Sequence, residues 1–326
     1  MMANSAMVGI RSAVRSELIK CAPGEKIIVA CSGGADSLAM SYAIAIEAKK
    51  LVIDVIGVTI NHQLQAGSDL QAAKVIQQML GFGIEKCENL PVTVDLTDGM
   101  EASARRARYE ALDAMAEKYG ATKVFLGHTL DDQAEGVLLG LARGSGARSL
   151  SGMAKDNGIY SRPLLGITRA ETISACAEVG LTPWDDPQNI DEAYLRVRVR
   201  HTLLPILEDS LGPGVSHALA RSADLLRDDA DALDDWAWRE YSAMDPSSLD
   251  ISLLEKLPKA VRTRIIRLAI YAAGAPSGSI SADHVSAIEA LVTSWHGQGA
   301  SSLPGGVKVA RLSGRLSLLA PSSDPT

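Results

Sequence analysis

The chain has 326 residues, 47% hydrophobic and 22% charged, and a formal net charge of −7. The length fits two domains better than one compact core, and the composition is that of an ordinary globular protein. The acidic balance argues against a protein that coats nucleic acid indiscriminately, while leaving room for a local basic surface that holds one particular RNA.

The N-terminal stretch is interrupted by Arg11, Arg15, Glu17 and Lys20. This argues against a signal peptide, and residues 5–20 read as an amphipathic helix. No apolar run approaches the roughly 20 residues of a membrane span, so a soluble, cytoplasmic protein is expected. Lys26 to Cys31 is a short apolar run, expected as a buried parallel strand. Ser37 to Lys50 is Ala-rich and helical, and Leu51 to Ile60 reads as a second strand. Ser68 to Gly81 reads as a helix with Ser68 as its N-cap. Pro91 to Leu96 is expected as a third strand, Met100 to Tyr119 as a helix closed by Gly120, and Val124 to Leu126 as a fourth strand. Asp131 to Arg143 forms the next helix, stopped by Gly144-Ser145-Gly146.

Strands alternating with helices predict an α/β fold with a doubly wound parallel sheet. Such sheets bind ligands beyond the carboxyl ends of their strands. Attention therefore falls on Ser32 to Ser37, Asn61-His62, Asp95 and Gly127-His128. Gly212-Pro213-Gly214 breaks the pattern. Helices at 215–241 and 259–273 follow, then a small hairpin near 306–316. The expected organisation is a catalytic domain over 1–212 and a smaller, mainly helical domain over 213–326. Trp236 and Trp238, at helical spacing beside Leu225 and Leu226, are expected to pack.

Ser32, Gly33, Gly34, Ala35, Asp36 and Ser37 lie between the first strand and the first long helix. Two glycines let the backbone approach a ligand closely, and a helix N-terminus offers N–H groups and a positive dipole end. The combination suits a pyrophosphate. No Gly-Lys-Ser/Thr follows, and the G-x-G-x-x-G spacing is missing, so neither a Walker loop nor a dinucleotide fingerprint is present. An acidic Asp36 in an anion-binding loop points to a bridging cation.

This string resembles the SGGxDS signature of the PP-loop ATP pyrophosphatases. The resemblance implies a PP-loop fold, ATP cleaved to AMP and pyrophosphate, and adenylation of a carbonyl-type oxygen. Further segments resemble the tRNA(Ile)-lysidine synthetase family: Glu101 to Tyr109 its E-x-x-A-R-x-x-R-Y stretch, and Gly127 to Glu135, with Arg143 to Gly146, its G-H-x-x-D-D-Q-x-E…R-G-S-G motif. Arg162 to Leu165, Asp185 to Asn189 and Tyr194 to Arg200 are similar to its R-P-L-L, D-D/S-N and R-N-x-x-R segments. The likeness covers roughly residues 25–210 and is to the short form, without the extra C-terminal domain. Two departures stand out. The family's D-H-G-L-R reads Asn61-His62-Gln63-Leu64-Gln65, and Val197 replaces the Asn of R-N-x-x-R.

Asp132 and Glu135 lie three apart, on one helical face. They suit helix capping, an amine or a magnesium ion; the resemblance assigns them to lysine. His62 and His128 follow strands at the active edge and are expected to contact nucleotide. Arg105 and Arg108 also share a face and can bind phosphate, with Arg108 the better catalytic candidate by resemblance. Arg196, Arg198 and Arg200 alternate, so an extended segment would project them together, and the resemblance suggests tRNA backbone contact. The implied reaction joins L-lysine to carbon 2 of the wobble cytidine in the CAU anticodon of minor isoleucine tRNA, with ATP and magnesium, Asp36 holding the metal. A homodimer is admitted and not required. The rival readings are a PP-loop tRNA thiolase, whose cytidine-directed members carry paired C-x-x-C cysteines unlike the scattered Cys21, Cys31, Cys87 and Cys176, and a non-catalytic RNA-binding protein on the same scaffold.

Overall fold

A computed structural model describes residues 5–61, 67–92, 100–144, 146–184, 186 and 190–320. Two compact units divide the chain at Leu225/Leu226.

In the first unit, six strands form one sheet in the order β3-β2-β1-β4-β6-β5. They are β1 (Lys26–Ala30), β2 (Asp54–Asn61), β3 (Lys86–Pro91), β4 (Lys123–Phe125), β5 (Asp156–Asn157) and β6 (Tyr160–Ser161). All pairings are parallel except that of β5 with β6. The third strand lies earlier than the expected 91–96, and residues 93–99 are outside the described set. Leu51 ends the preceding helix rather than opening β2.

The alternation along β1 explains the layers. Ile27 and Val29 join a core with Ile10, Val14 and Leu18 of α1 (Ala6–Leu18) and Leu38 and Ile44 of α2 (Ala35–Leu51). Ile28 faces the opposite core, with Val58, Val124 and Leu112 of α4 (Met100–Tyr119). Successive strand residues point to opposite faces, so a strand apolar on both sides must be covered twice. The remaining helix of this half, α3 (Ser68–Gly81), has Gly67 as its N-cap, in a left-handed conformation, so Ser68 is the first helical residue and not the cap. The chain leaves β1 toward β2 on one side, and β4 lies on the other. The crevice at that reversal is where a doubly wound sheet binds its ligand.

Further along come α5 (Leu130–Ala142), α6 (Ala147–Leu150), α7 (Arg169–Glu178), α8 (Leu195–Arg198), a π-helical turn (Val199–Leu203) and α9 (Leu204–Leu211). Gly212-Pro213-Gly214 turns the chain into α10 (Val215–Ser242), inside which the division between units falls.

The second unit has α11 (Ile251–Lys256), α12 (Lys259–Ala272), α13 (Ala282–Thr293) and an antiparallel sheet ordered β7-β10-β9-β8. Its strands are β7 (Ser248–Asp250), β8 (Ser301–Ser302), β9 (Lys308–Leu312) and β10 (Arg315–Leu319), the last two forming the expected hairpin about Ser313-Gly314. Ile265, Ile266, Ile288, Val309 and Leu316 are among the residues of its own core. Trp236 and Trp238 are exposed, against the expectation that they pack, whereas their neighbours Ala237 and Tyr241 on the same helix are buried. Among the described residues, no helix is long and apolar enough to cross a membrane.

Candidate active site

The carboxyl ends of β1, β2 and β4 open onto a cavity of about 290 Å³. Ala30, Val58, Ile60 and Leu126 make an apolar floor, and Ser32, Ser37, Arg108 and His128 bring polar groups to it. Thr59, Asn61, Gln71 and Asp186 add further polar groups, and an apolar floor with polar groups converging on it suits a small-molecule site.

The loop at 32–37 sits at its mouth. Ser37 Oγ accepts the Ser32 N–H (3.1 Å) and donates to the Gly34 carbonyl (3.1 Å), which folds the loop over the start of α2. Gly34 is the N-cap, and no side chain caps it. The first-turn N–H groups are therefore available to an anion. Gly33 has φ +89°, and a Cβ there would lie 2.6 Å from Val75 Cγ2. Gly127 approaches just as closely from β4: its Cβ would meet Ser37 Cα at 2.9 Å and Ser37 N at 3.0 Å. Two glycines thus shape a cradle that side chains would fill, and the donor set suits a nucleotide phosphate.

Arg108 and His128 line this cavity, and each carries an orphaned polar atom. Arg108 Nε and His128 Nδ1 are buried without a hydrogen-bond partner among the described residues. Buried polar groups are normally satisfied, so such a pair marks a place for a ligand's acceptors and donors. Burial holds the His128 imidazole well below the usual histidine range, against the pull of Asp132, and Arg108, Arg162 and Arg196 push it the same way. The ring is therefore neutral near pH 7. Arg108 is steadied by the Tyr109 ring, 5.7 Å away, over which the exposed Arg105 also lies, at 5.1 Å. Arg162, from the R-P-L-L segment, donates to the Tyr109 hydroxyl (3.1 Å).

Asp36 is turned toward α7. Arg169 holds its Oδ2 at 2.8 Å, and Thr172 donates to Oδ1. Burial raises its pKa, with Thr172 and Arg169 opposing.

Asp132 and Glu135 do lie together on α5, and Arg196 and Arg200 meet them there. Asp132 Oδ1 accepts from both guanidiniums at 3.2 Å, while Oδ2 takes the Thr129 N–H at 2.8 Å. Glu135 accepts Arg196 Nε at 2.7 Å and Arg200 Nε at 2.5 Å. Burial would raise the Asp132 pKa, but Arg196, the Thr129 N–H and Arg200 pull against it and the carboxyl is held below its ordinary value. The segment 195–203 is helical rather than extended. Arg196 and Arg200, four apart, share a face, and Arg198 points elsewhere, to the carbonyls of Glu192 (2.8 Å) and Ala193. The expected joint projection of all three arginines is thereby corrected: helical spacing separates what strand alternation would have united. Val199 and Leu204, packed with Ala134, fasten this segment to α5. His62 and Asp95 lie outside the described residues.

Comparison with known proteins gives the family. Residues 10–207 match the family model of a PP-loop domain, and residues 249–317 that of a TilS substrate binding domain. A tRNA(Ile)-lysidine synthase of Streptomyces coelicolor is 52% identical, over 89% of this chain and 84% of its own length. That of Thermobifida fusca is 48% identical, over 94% and 95%. The chain belongs to the tRNA(Ile)-lysidine synthase family. A solved structure, the U34-tRNA thiolase NcsA from Methanococcus maripaludis with its [4Fe-4S] cluster, superposes with a TM-score of 0.57 over 68% of this chain and 79% of that one. Its sequence is 19% identical, so the likeness to the lysidine synthase family member described here is one of fold.

Within this lysidine synthase family member, several site residues were not legible in the sequence. Arg169 and Thr172 reach Asp36 from more than 130 positions away, and no local pattern announces such a pairing. Trp184 lines the cavity, and its N–H binds the Gly33 carbonyl at 2.9 Å. Only its place beside the D-D/S-N segment hinted at this.

Proposed function

We propose that the protein joins L-lysine to carbon 2 of the wobble cytidine in the CAU anticodon of minor isoleucine tRNA, at the expense of ATP. The observation that carries this is the cavity with an uncapped helix N-terminus and the orphaned Arg108 and His128 atoms, close to the buried carboxylates of α5. ATP places its nucleoside in the cavity and its phosphates on residues 32–37. Arg108 and His128 serve the reacting phosphate, with the neutral imidazole as a hydrogen-bonding rather than a charged group. The carbonyl oxygen O2 of the cytosine bonds to the α-phosphorus and pyrophosphate leaves. The lysine ε-amine then bonds to carbon 2, the C2–O2 bond breaks, and AMP departs. The amine attacks in its neutral form and gives up a proton, for which Asp36, Asp132 and Glu135 are the candidate acceptors. Asp132 and Glu135 hold the lysine amine, and Arg105, Arg196, Arg198 and Arg200 serve tRNA phosphate. The unit that follows Leu225 is an accessory tRNA-binding domain, and the setting is the cytoplasm, as a monomer or homodimer.

Magnesium belongs at Asp36. Magnesium sites of nucleotide enzymes use one or two carboxylates plus phosphate oxygens, and the loop offers the carboxylate. Arg169 and Thr172 hold both Asp36 oxygens in the free protein, so an ion held there would have to take the place of the Arg169 contact. When bound, it offsets charge on the departing pyrophosphate.

Incubation with ATP, magnesium, labelled L-lysine and a CAU-anticodon isoleucine tRNA transcript should place label in the tRNA and release AMP. An unlabelled transcript, under conditions in which a known lysidine synthase labels it, rejects this reading.

A further inference from the structure

The phosphate loop carries no positive side chain. Residues 31–37 read Cys-Ser-Gly-Gly-Ala-Asp-Ser, and the charged one among them, Asp36, is an acid. A Walker loop answers the β- and γ-phosphates with its own lysine. Here a triphosphate meets the partial positive charge of a helix N-terminus with a carboxylate beside it, since Asp36 is the second residue of α2. A full cation has to come from elsewhere in the fold. Arg169 brings one: its Nη1 donates to Asp36 Oδ2 at 2.8 Å, across 133 positions of sequence.

The base of Arg169 is held more firmly than its tip. Its backbone N–H donates to Asp131 Oδ2 at 2.7 Å, the Leu130 N–H donates to the Ile167 carbonyl at 2.9 Å, and Thr168 and Glu171 form a capping box. These bonds tie the start of α7 to the start of α5. Further along α7, Cys176 Sγ donates to the Ala35 carbonyl at 3.5 Å and ties the helix to α2. Beyond Nη1, the other two guanidinium nitrogens make no hydrogen bond to a described residue. The Arg169 side chain is 30% exposed, against 15% for Asp36. A guanidinium is a planar fork of five donors, so one bond to Asp36 leaves donors for two phosphate oxygens. Thr172 donates to Asp36 Oδ1 independently, which keeps the carboxylate aimed when the guanidinium turns.

We propose that Arg169 is a binding residue for the β- and γ-phosphates of ATP: the guanidinium that neutralises Asp36 in the free protein turns its fork onto those oxygens when the nucleotide arrives with magnesium. The exchange leaves neither charge bare, because the metal ion replaces the guanidinium on Asp36 and phosphate replaces Asp36 on the guanidinium. The same contact follows the charge that gathers on pyrophosphate as it leaves, where a positioned arginine favours reaction. This rests on the reading that places the ATP phosphates on residues 32–37.

Isothermal titration of the full chain with α,β-methylene ATP and with AMP, magnesium present throughout, tests this, since only the first ligand carries β- and γ-phosphates. Arg169→Gln should bind the analogue on the order of tenfold or more weaker than the wild type, the worth of a charge-assisted contact, and should bind AMP equally well. In an Asp36→Asn background the same substitution should weaken the analogue by a similar factor, because the contact is with phosphate and not with Asp36. That pair of variants also removes the bare carboxylate, should Arg169→Gln alone fail to fold. Undiminished affinity for the analogue, an equal loss for analogue and AMP, or a loss that disappears in the Asp36→Asn background overturns the role of Arg169 and leaves that of the phosphate loop in place. Failure of the wild type to bind the analogue overturns the placing of ATP on residues 32–37, and the role of Arg169 with it.

Discussion

At Gly127 one methyl group decides whether the phosphate cradle closes. An added Cβ would sit 2.9 Å from Ser37 Cα, which is backbone and cannot rotate away. Gly127→Ala must therefore push the exit of β4 from the start of α2. Overpacking of this kind costs about 1–3 kcal/mol, and a displacement of ~1 Å at a reacting group costs about 10²-fold in rate. AMP release by Gly127→Ala should fall accordingly, with a lowered melting temperature; wild-type turnover would show that the approach is not needed. The glycine itself was legible through the G-H-x-x-D-D-Q-x-E string. Its neighbour was not, because Ser37 lies 90 positions earlier and meets it only after the sheet has formed.

Elements depend on their neighbours as much as on their own residues. Glu208, in α9, accepts the N–H groups of Gly214 (2.6 Å), Val215 (3.1 Å) and Ser216 (2.8 Å) at the start of α10. These bonds, aided by the helix dipole, hold its carboxyl down at about 2, from an ordinary 4.5. A folded-state pKa below the unfolded one gives stability that is complete above pH ~4.5 and lost as pH falls toward ~2. Glu208→Gln should lower stability near neutral pH by roughly 0.5–2 kcal/mol, the usual worth of a cap, and should flatten the acid limb of a melting-temperature profile over that window. Equal profiles for variant and wild type would remove Glu208 from the cap. The helix periods around it were readable in the sequence: the bounds of α10 and α12 fall within a residue of expectation. The arginine segment was misread, because Arg-Val-Arg-Val-Arg alternates like a strand, yet packing of Val199 and Leu204 beside Ala134 makes it helical.

Taken whole, the molecule has separate cores: Ile27, Leu38 and Ile44 belong to one unit, Ile265, Ile288 and Val309 to the other. Each unit has the apolar burial to unfold as its own cooperative step. Calorimetry of the full chain should resolve two transitions. ATP at 100 times its dissociation constant adds ~2.7 kcal/mol to the unit that binds it, so only the transition of the unit containing residues 32–37 should move upward. A single transition, or one in which both steps move together, would show that the units unfold as one.

The sequence by itself determined the alternation of strands and helices, the phosphate loop at 32–37 and the acidic pair at 132 and 135, because each depends on residues within a turn or two of one another. It did not determine that Arg169 holds Asp36, that Gly127 closes on Ser37, or that Arg196 and Arg200 cover Asp132 and Glu135. Those contacts join residues 61 to 133 positions apart. Their geometry exists only once the sheet and the packing of α5 against the segment 195–204 bring the chain together. The loop therefore announces ATP from sequence alone, while the pairing of Asp132 and Glu135 with Arg196 and Arg200 is a property of the tertiary fold.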